Sequence, residues 1–561
     1  MRHFFTKKSF FVLLCIAGLL FLGNTASAAL KTQDPYTDKV DKLFKDLNKT
    51  ESAGIAVMAL KEGKVLLRRG YGMANLEHKV PITPQTVFDI ASVSKQFTGL
   101  AISMLIEEGK ISLQDDIRRY IPELPAFGQT ITIEHLVHHT SGIRDWPGTL
   151  ALAGWNFDDV ISFDQILTMA FNQKELNFKP GSEFLYSNTG YNLLAELVQR
   201  VTGKFFRQWT EENIFGPLEM KDTHFHDDHT EVVPKRAYGY ARDQEGKFHT
   251  VADNLTAFGS SSLFTTIDDL AKWVKNFDNP KVGKEGALDR MLQRVDPKKR
   301  RSYAYGLGLG QYRGLNTISH GGSWASFRTF LVYFPEQRFS VVTLLNYSPS
   351  NSSRDAYDIA DIYLADILKP QPRSSSNKPE PNPVPVPAAV LDEYTGTYRL
   401  GNAWYVTISR DGDRLKTQAT AEDAFPTTAT SQTRFWVEAY RAPIVFKRDK
   451  EGKVSHFLYR GSTCPKLEDL PIPDPEQWAE FTGEYISDEL GTSYTIALSD
   501  GKLMAKHRRH GTIGLTYAYK DDFRGGEWFM QALEFFRGQK GKVEGFMINQ
   551  ARNRNLRFQK K

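Results

Sequence analysis

The chain has 561 residues, 41% of them hydrophobic and 24% charged, enough length and apolar content for several cores. Of its formal charge of +5, three charges are Arg2, Lys7 and Lys8, which leaves the remainder at a nearly balanced +2 and gives no sign of a nucleic-acid partner. Two cysteines, Cys15 and Cys464, exclude a cysteine-rich metal site.

In chain order, residues 1–28 read as a secretory signal peptide. Arg2, Lys7 and Lys8 precede an apolar run from Phe10 to Leu22, and Ala26-Ser27-Ala28 forms a small-residue cleavage site. Leu14 before Cys15 argues against a lipid-anchored cysteine. Export to a bacterial periplasm or the cell exterior is the expectation, with no membrane span after cleavage and no internal disulfide, since Cys464 would then stand alone.

Gly54 to Leu60 and Lys64 to Arg69 are expected as paired strands around Lys61-Glu62-Gly63. Phe97, Leu100, Ala101, Met104 and Leu105 then recur at helical spacing and predict one apolar helix face. Ser92-Val93-Ser94-Lys95 lies at the start of that helix. A helix from Tyr191 to Val201 follows Tyr186-Ser187-Asn188, and Gly306 to Gly310 reads as a glycine-rich strand. His320-Gly321-Gly322-Ser323 is expected as a glycine-flanked turn or the beginning of an edge strand, ahead of a hairpin from Phe327–Phe334 and Phe339–Asn346. Ser353 to Leu368 is expected as a helix. Strands from both ends of residues 29–368 can join in one antiparallel sheet with helices packed on it.

Residues 369–389 are a Ser- and Pro-rich linker, with proline at every second position from Pro379 to Pro387. Beyond it, Tyr394-Thr395-Gly396-Thr397-Tyr398 is echoed by Phe481-Thr482-Gly483-Glu484-Tyr485. Phe446, Arg448, Gly452-Lys453-Val454 and Phe457 are echoed by Phe535, Arg537, Gly541-Lys542-Val543 and Phe546. Two small antiparallel β-barrels, at 390–473 and 474–561, are therefore expected, as structural or lid modules rather than ligand carriers. The basic clusters Arg294 with Lys298–Arg301, and Lys506 with Arg508-Arg509, read as solvated loops.

Spacing of three puts Ser92 and Lys95 on one side of a helix start. A serine hydroxyl needs a base to become a nucleophile, and a lysine of lowered pKa is such a base. Ser-x-x-Lys recurs at Ser375–Lys378 in the linker and at Ser499–Lys502 in an expected hairpin turn, so context must select the copy at Ser92. Tyr186, its phenol pKa lowered beside the lysine, is expected to relay protons, and Asn188 to hold Lys95 and a substrate amide. Gly321 and Gly322 allow close approach of a substrate. The N–H of Ser323 is expected to complete an oxyanion hole with that of Ser92, and His320 to donate to the substrate or to Tyr186.

Taken in order, Ser92-x-x-Lys95, Tyr186-x-Asn188 and His320-Gly321-Gly322 resemble the class C β-lactamase-like serine hydrolases, a family that includes penicillin-binding DD-peptidases, esterases and D-stereospecific aminopeptidases. His138-His139-Thr140-Ser141-Gly142, Gly216-Pro217-Leu218-Glu219-Met220 and Tyr305-Gly306-Leu307-Gly308 support the resemblance, which covers roughly residues 35–368. It implies an α/β fold, with an antiparallel sheet flanked by helices as in β-lactamases and transpeptidases. It also implies Ser92 as nucleophile, Lys95 and Tyr186 as acid/base pair, His320 as the third-motif residue, and no cofactor or metal. True β-lactamases usually carry Lys-Thr-Gly where this chain has His320-Gly321-Gly322. Histidine is only partly charged near neutral pH and binds a carboxylate less firmly. The two-barrel tail resembles that of D-stereospecific aminopeptidases. The expected substrates are small: D-amino-acid peptides or amides, or esters. β-Lactam hydrolysis or DD-carboxypeptidase action is the alternative, and a non-catalytic penicillin-binding-like receptor the second alternative.

His224-Phe225-His226-Asp227-Asp228-His229 has the spacing of a two-zinc hydrolase. The polar lead-in Glu219–Thr223, the missing further ligands and the expected surface position argue against zinc catalysis there. Gly321–Ala325 lacks the last glycine of a Gly-x-Ser-x-Gly elbow and leads into a strand instead of a helix.

Overall fold

The computed structural model describes residues 36–283, 285–292, 302–370 and 382–561. The signal-peptide reading, most of the proline-rich linker, the Ser375–Lys378 copy and the cluster Arg294 to Arg301 lie outside the described residues.

An antiparallel sheet of seven strands organises the first part. Its order is Tyr303–Ala304, Leu307–Tyr312, Leu315–Trp324, Phe327–Phe334, Phe339–Leu345, Ile55–Lys61 and Lys64–Tyr71. The two ends of this part do meet: Ile55–Lys61 runs antiparallel to Phe339–Leu345, with Ile55 opposite Leu345 and Lys61 opposite Phe339. Both strands are buried along almost their whole length, so they read as continuous apolar runs. One face packs on helix Ser352–Tyr363, shorter than expected at its C-terminal end. The other carries the main core, with helices Lys95–Glu107, Asn188–Thr202 and Ile267–Asp278.

Helix Lys95–Glu107 differs from the amphipathic expectation. Phe97, Leu100, Ala101 and Leu105 are buried as predicted, but so are Gln96, Thr98, Ile102 and Ser103, while Met104 is only partly covered. The helix runs through the core, and most of its buried polar atoms find partners there, Gln96 Nε2 being the exception among the described residues. Thr98 Oγ1 donates to the Gly259 carbonyl at 2.7 Å, Ser103 Oγ to the Ala287 carbonyl at 2.7 Å, and Gln96 Oε1 accepts from Trp273 Nε1 at 2.9 Å. Periodicity counts only apolar letters and misses polar residues whose partners come from distant segments.

The C-terminal repeat folds as two eight-stranded antiparallel sheets. Strands from Gly483 to Lys560 close into a barrel. Those from Gly396 to Pro465 form a sheet that returns on itself through the bridge between Tyr398 and Lys466. The repeated residues are the core of each. Tyr398 packs on Phe446 and Phe457, and Tyr485 on Phe535 and Phe546. Each tyrosine hydroxyl donates to a carbonyl four residues back, Tyr398 to Tyr394 at 2.9 Å and Tyr485 to Phe481 at 2.7 Å. Aromatic side chains fill both interiors, as structural modules require. The Ser499–Lys502 copy is a two-residue hairpin with Asp500 and Gly501 at positive φ, as expected of a turn.

The closed barrel is joined to the first part by a buried latch. Arg144, 1% exposed, forms an ion pair with Glu489 and donates to the carbonyls of Arg554 and Asn555, each at 3.1 Å. Asn553 exchanges two bonds with the Asp145 backbone, at 2.7 and 3.0 Å. Ala151 and Leu152 of the first part complete the barrel core.

Phe546 is fully buried in that core. Phe546→Ala is expected to lower the unfolding free energy of the barrel by about 3–5 kcal/mol. Urea denaturation followed by tryptophan fluorescence checks this, and a loss below about 1 kcal/mol contradicts a packed interior.

Candidate active site

Ser92 is presented by a strained turn. Strand Phe88–Asp89 is held by Leu263–Thr265, and Ala91 then adopts φ +48°, unusual for a residue with a Cβ. The Asp89 carboxylate accepts the Ala91 N–H at 2.7 Å and stabilises the bend. A 3₁₀ turn, Ala91–Ser94, leads into helix Lys95–Glu107, so Ser92 and Lys95 share the helix start as predicted.

The turn is braced by the strand that carries His320. A Cβ on Gly322 would lie 2.2 Å from the Ile90 carbonyl oxygen and equally close to Thr329 Oγ1, so only glycine fits. Thr329 itself donates to the Ile90 carbonyl at 2.8 Å. His320 through Ser323 lie within strand Leu315–Trp324, not in a turn, because they pair continuously with Phe327–Phe334. Pairing on the other side ends at Ser319 opposite Gly308, which leaves His320–Trp324 as a local edge facing the cleft. The edge expectation is thus met inside the sheet order rather than at its rim.

Lys95 is fully buried. Its Nζ lies 3.2 Å from Ser92 Oγ, 2.7 Å from Asn188 Oδ1 and 2.6 Å from the Ser260 carbonyl oxygen. All three are neutral oxygens. Burial holds the ammonium well below its ordinary pKa. The charge of Arg552 acts in the same direction, while Asp145 opposes both. A neutral amine has two N–H donors and one lone pair. Asn188 and Ser260 take the donors, and the lone pair remains for the Ser92 hydroxyl.

Asn188 is fixed in turn. It opens helix Asn188–Thr202, whose N-cap Ser187 accepts from the Gly190 N–H at 3.3 Å. Asp145 Oδ1 accepts the Asn188 N–H at 2.7 Å, and Asp145 Oδ2 the side-chain amide at 3.3 Å.

Tyr186 stands beside this pair, its ring 4.9 Å from Lys95 Nζ. Contrary to the expectation, its pKa is raised, because burial outweighs the favourable contact with Ser92. The Tyr186 hydroxyl is buried at the cleft wall beside Ser92, without a hydrogen bond of good geometry among the described residues.

His320 also departs from the expectation. Its Nδ1 lies 2.7 Å from the Gly321 carbonyl, which only accepts, so Nδ1 carries the proton and Nε2 accepts from Tyr303 Oη at 3.0 Å. It holds Tyr303, not Tyr186, whose ring centroid is 6.3 Å away. Burial first, then Lys95, pushes its pKa down to about 3, so it is neutral at pH 7.

Ser92, Tyr186, Asn188, His320, Gly322 and Ser323 line one cleft of about 900 Å³. Sequence reasoning missed Asp145, the Ser260 carbonyl, Tyr303 and the barrel's contribution. Arg552, in the turn between barrel strands Val543–Gln550 and Asn553–Lys560, enters the cleft, lies 4.8 Å over the Tyr186 ring and bonds Asp145 Oδ2 at 3.0 Å. Trp528 from the same barrel stacks on Phe157 at the mouth. Nothing in the local sequence around Arg552 signals this. Only the docking of the barrel does.

Residues 40–365 match the family model described as Beta-lactamase, and residues 380–468 match a domain of unknown function, DUF3471. Penicillin-binding protein 4* of Bacillus subtilis (strain 168) is 26% identical over 442 residues, covering 74% of this chain and 95% of that protein. A D-aminopeptidase of Gluconobacter oxydans (strain 621H) is 28% identical over 299 residues, and the match spans 52% of this chain but only 56% of that protein. Among solved structures, the octameric penicillin-binding protein homologue from Pyrococcus abyssi superposes with a TM-score of 0.56 at 22% identity, over 84% of this chain and 98% of that one. The D-amino acid amidase from Ochrobactrum anthropi SV3 gives 0.51 at 20% identity, over 58% and 98%. At these identities the two structures speak for the fold alone.

Gly322→Ala is expected to push the strand off Ile90 and displace Ser92, lowering labelling of Ser92 by an active-site phosphonate about 10²-fold or more. The rate of labelling of purified protein checks this. Unchanged labelling contradicts the bracing role.

Proposed function

We propose that this chain, which belongs to the Beta-lactamase family of serine hydrolases, is an exported enzyme that forms an acyl-enzyme on Ser92 and cleaves amide or ester bonds of small substrates, D-amino-acid peptides and amides or esters above all. The single observation that carries the chemistry is the buried Lys95 amine, 3.2 Å from Ser92 Oγ and held otherwise by Asn188 Oδ1 and the Ser260 carbonyl.

Lys95 takes the Ser92 proton as Oγ attacks the substrate carbonyl. The Tyr186 phenol donates to the leaving group and takes the proton that Lys95 received from Ser92, so that neither the ammonium nor the buried phenolate persists. Trp324 and Phe327 close a two-residue hairpin and exchange both ladder bonds, so the next residue, Ser323, turns its N–H away from the partner strand. That direction is the cleft, where the N–H joins that of Ser92 in an oxyanion hole. His320 keeps Tyr303 in place as a neutral group and offers no charge for a substrate carboxylate. The D-aminopeptidase relative is in keeping with the amide and D-peptide branch.

One observation favours the alternative, D-alanine-terminated peptides or β-lactams as substrates: Arg552 brings a guanidinium to the cleft wall, where it can meet a carboxylate. Turnover of a D-amino-acid amide, a small ester and a chromogenic cephalosporin, measured side by side, separates the readings. Dominant cephalosporin turnover overturns the preferred one. A fluorophosphonate probe is expected to label the wild type and not Ser92→Ala. Absence of labelling in folded protein sinks the hydrolase reading altogether.

Activity is expected to fall on the acid side as Lys95 becomes protonated. Arg552→Gln removes a charge that opposes that protonation and unmasks Asp145, so Lys95 gains protons more readily. The acid limb of kcat/KM is expected to move to higher pH. A limb that stays in place, or moves down, contradicts Lys95 as the base.

A further inference from the structure

The His-x-His segment set aside as a zinc-hydrolase signature is more buried than its polar surroundings suggested. His224 opens strand His224–Phe225, and His226 follows it, so alternation turns both side chains to one face. His226 is 1% exposed. A turn from Asp227 to Glu231, held by the Glu231 N–H on the Asp228 carbonyl at 3.1 Å, returns the Glu231 carboxylate to the same face.

The spacing there is the informative fact. Glu231 Oε2 lies 3.8 Å from His224 Nε2 and 3.6 Å from His226 Nδ1, and one ligand atom from each of the three residues lies within 4.8 Å of the others. These distances are too long for hydrogen bonds. His224 Nε2 and both ring nitrogens of His226 have no hydrogen-bond partner among the described residues, although buried. The two carboxylate–imidazole distances are close to the roughly 3.3–3.5 Å between ligand atoms of a tetrahedral metal with bonds of about 2.0–2.2 Å, and a modest side-chain adjustment closes the rest of the 4.8 Å spread. We propose that His224, His226 and Glu231 form a binding site for one divalent transition-metal ion of the zinc or cobalt class, with water completing the shell.

The surroundings fit a structural site. Arg207 grips both Glu231 oxygens, at 2.7 and 2.9 Å, and so orients the carboxylate as outer partners of metal ligands do. The guanidiniums of Arg207 and Arg236 oppose a cation. Asp227, bonded to Arg207 at 2.8 Å, and Asp253, bonded to Arg236 at 3.1 Å, offset them. His226 stacks on Phe264 at 4.4 Å and donates its backbone N–H to the Ser262 carbonyl at 2.8 Å. That segment carries Ser260, whose carbonyl holds Lys95. The ion would staple strand His224–Phe225 and the returning turn to the layer behind the active site. None of the three ligands lines the cleft, so the ion takes no part in the hydrolysis. This site departs from the metal-free expectation drawn from the sequence, and it stands whether or not the hydrolase reading does.

The test uses the full chain stripped with EDTA and titrated with Co²⁺. One equivalent is expected to bind with the intense visible absorption of low-coordinate cobalt, to be displaced by Zn²⁺, and to raise the thermal midpoint. His226→Ala and the milder His224→Gln are each expected to weaken binding at least tenfold. Circular dichroism and Ser92 labelling confirm that the variants fold. No cobalt spectrum at millimolar metal, or equal binding by wild type and the folded His224→Gln variant, overturns the proposal.

Discussion

An amine stripped of water and held only by neutral oxygens is the constraint around which the site is built. Lys95 reaches Ser92, Asn188 and the Ser260 carbonyl, and no carboxylate among the described residues forms an ion pair with it. In water its charge would cost nothing, but in this core it has no partner ion, so the uncharged form is favoured. The nearest carboxylate, Asp145, spends its oxygens on Asn188 and Arg552 and acts on Lys95 only across a residue. The same burial keeps the Tyr186 phenol protonated and His320 neutral. One physical cause, desolvation, thus shifts all three groups toward their neutral forms, and together they match a base, a proton donor and a positioning group.

The second consequence concerns the barrel. Arg144 and Asp145 are consecutive residues of the first part, yet their side chains and backbone are satisfied by Glu489, Arg552, Asn553, Arg554 and Asn555. Losing one partner of a buried ion pair such as Arg144–Glu489 typically costs about 3–5 kcal/mol. The barrel is therefore a wall of the active site, and its turn at Arg552 reaches the residues that hold Lys95. The other barrel-like sheet stands one step back, touching this one through Tyr405 and Asp522.

Legibility in the sequence followed the range of the interactions. The strand pair at Ile55–Lys61, the hairpin Phe327–Leu345 and the duplicated barrel core were readable, because alternation, turn residues and repetition are local or self-comparing signals. Tyr398 and Tyr485 even repeat the same hydroxyl-to-carbonyl bond. Of the two readings of His320, the edge strand held and the turn did not, because two following glycines imitate a turn. In the sheet, Gly322 is small for a different reason, the approach of Ile90. The metal-like spacing at His224 was visible, but its burial was not, since Phe264, which covers His226, comes from a distant strand.

The chain by itself determined which side chains stand together at short range. Ser92 precedes Lys95 by one helical turn, Asn188 opens the next buried helix, and Gly322 lies two residues past His320. Those relations follow from backbone periods that any three or four residues carry with them. Tertiary structure alone decided the lowered pKa of Lys95, the raised pKa of Tyr186 and the arrival of Arg552 at Asp145, 407 residues away. The reason is that desolvation and long-range contact depend on what packs against a group, and that is written in no single stretch of sequence.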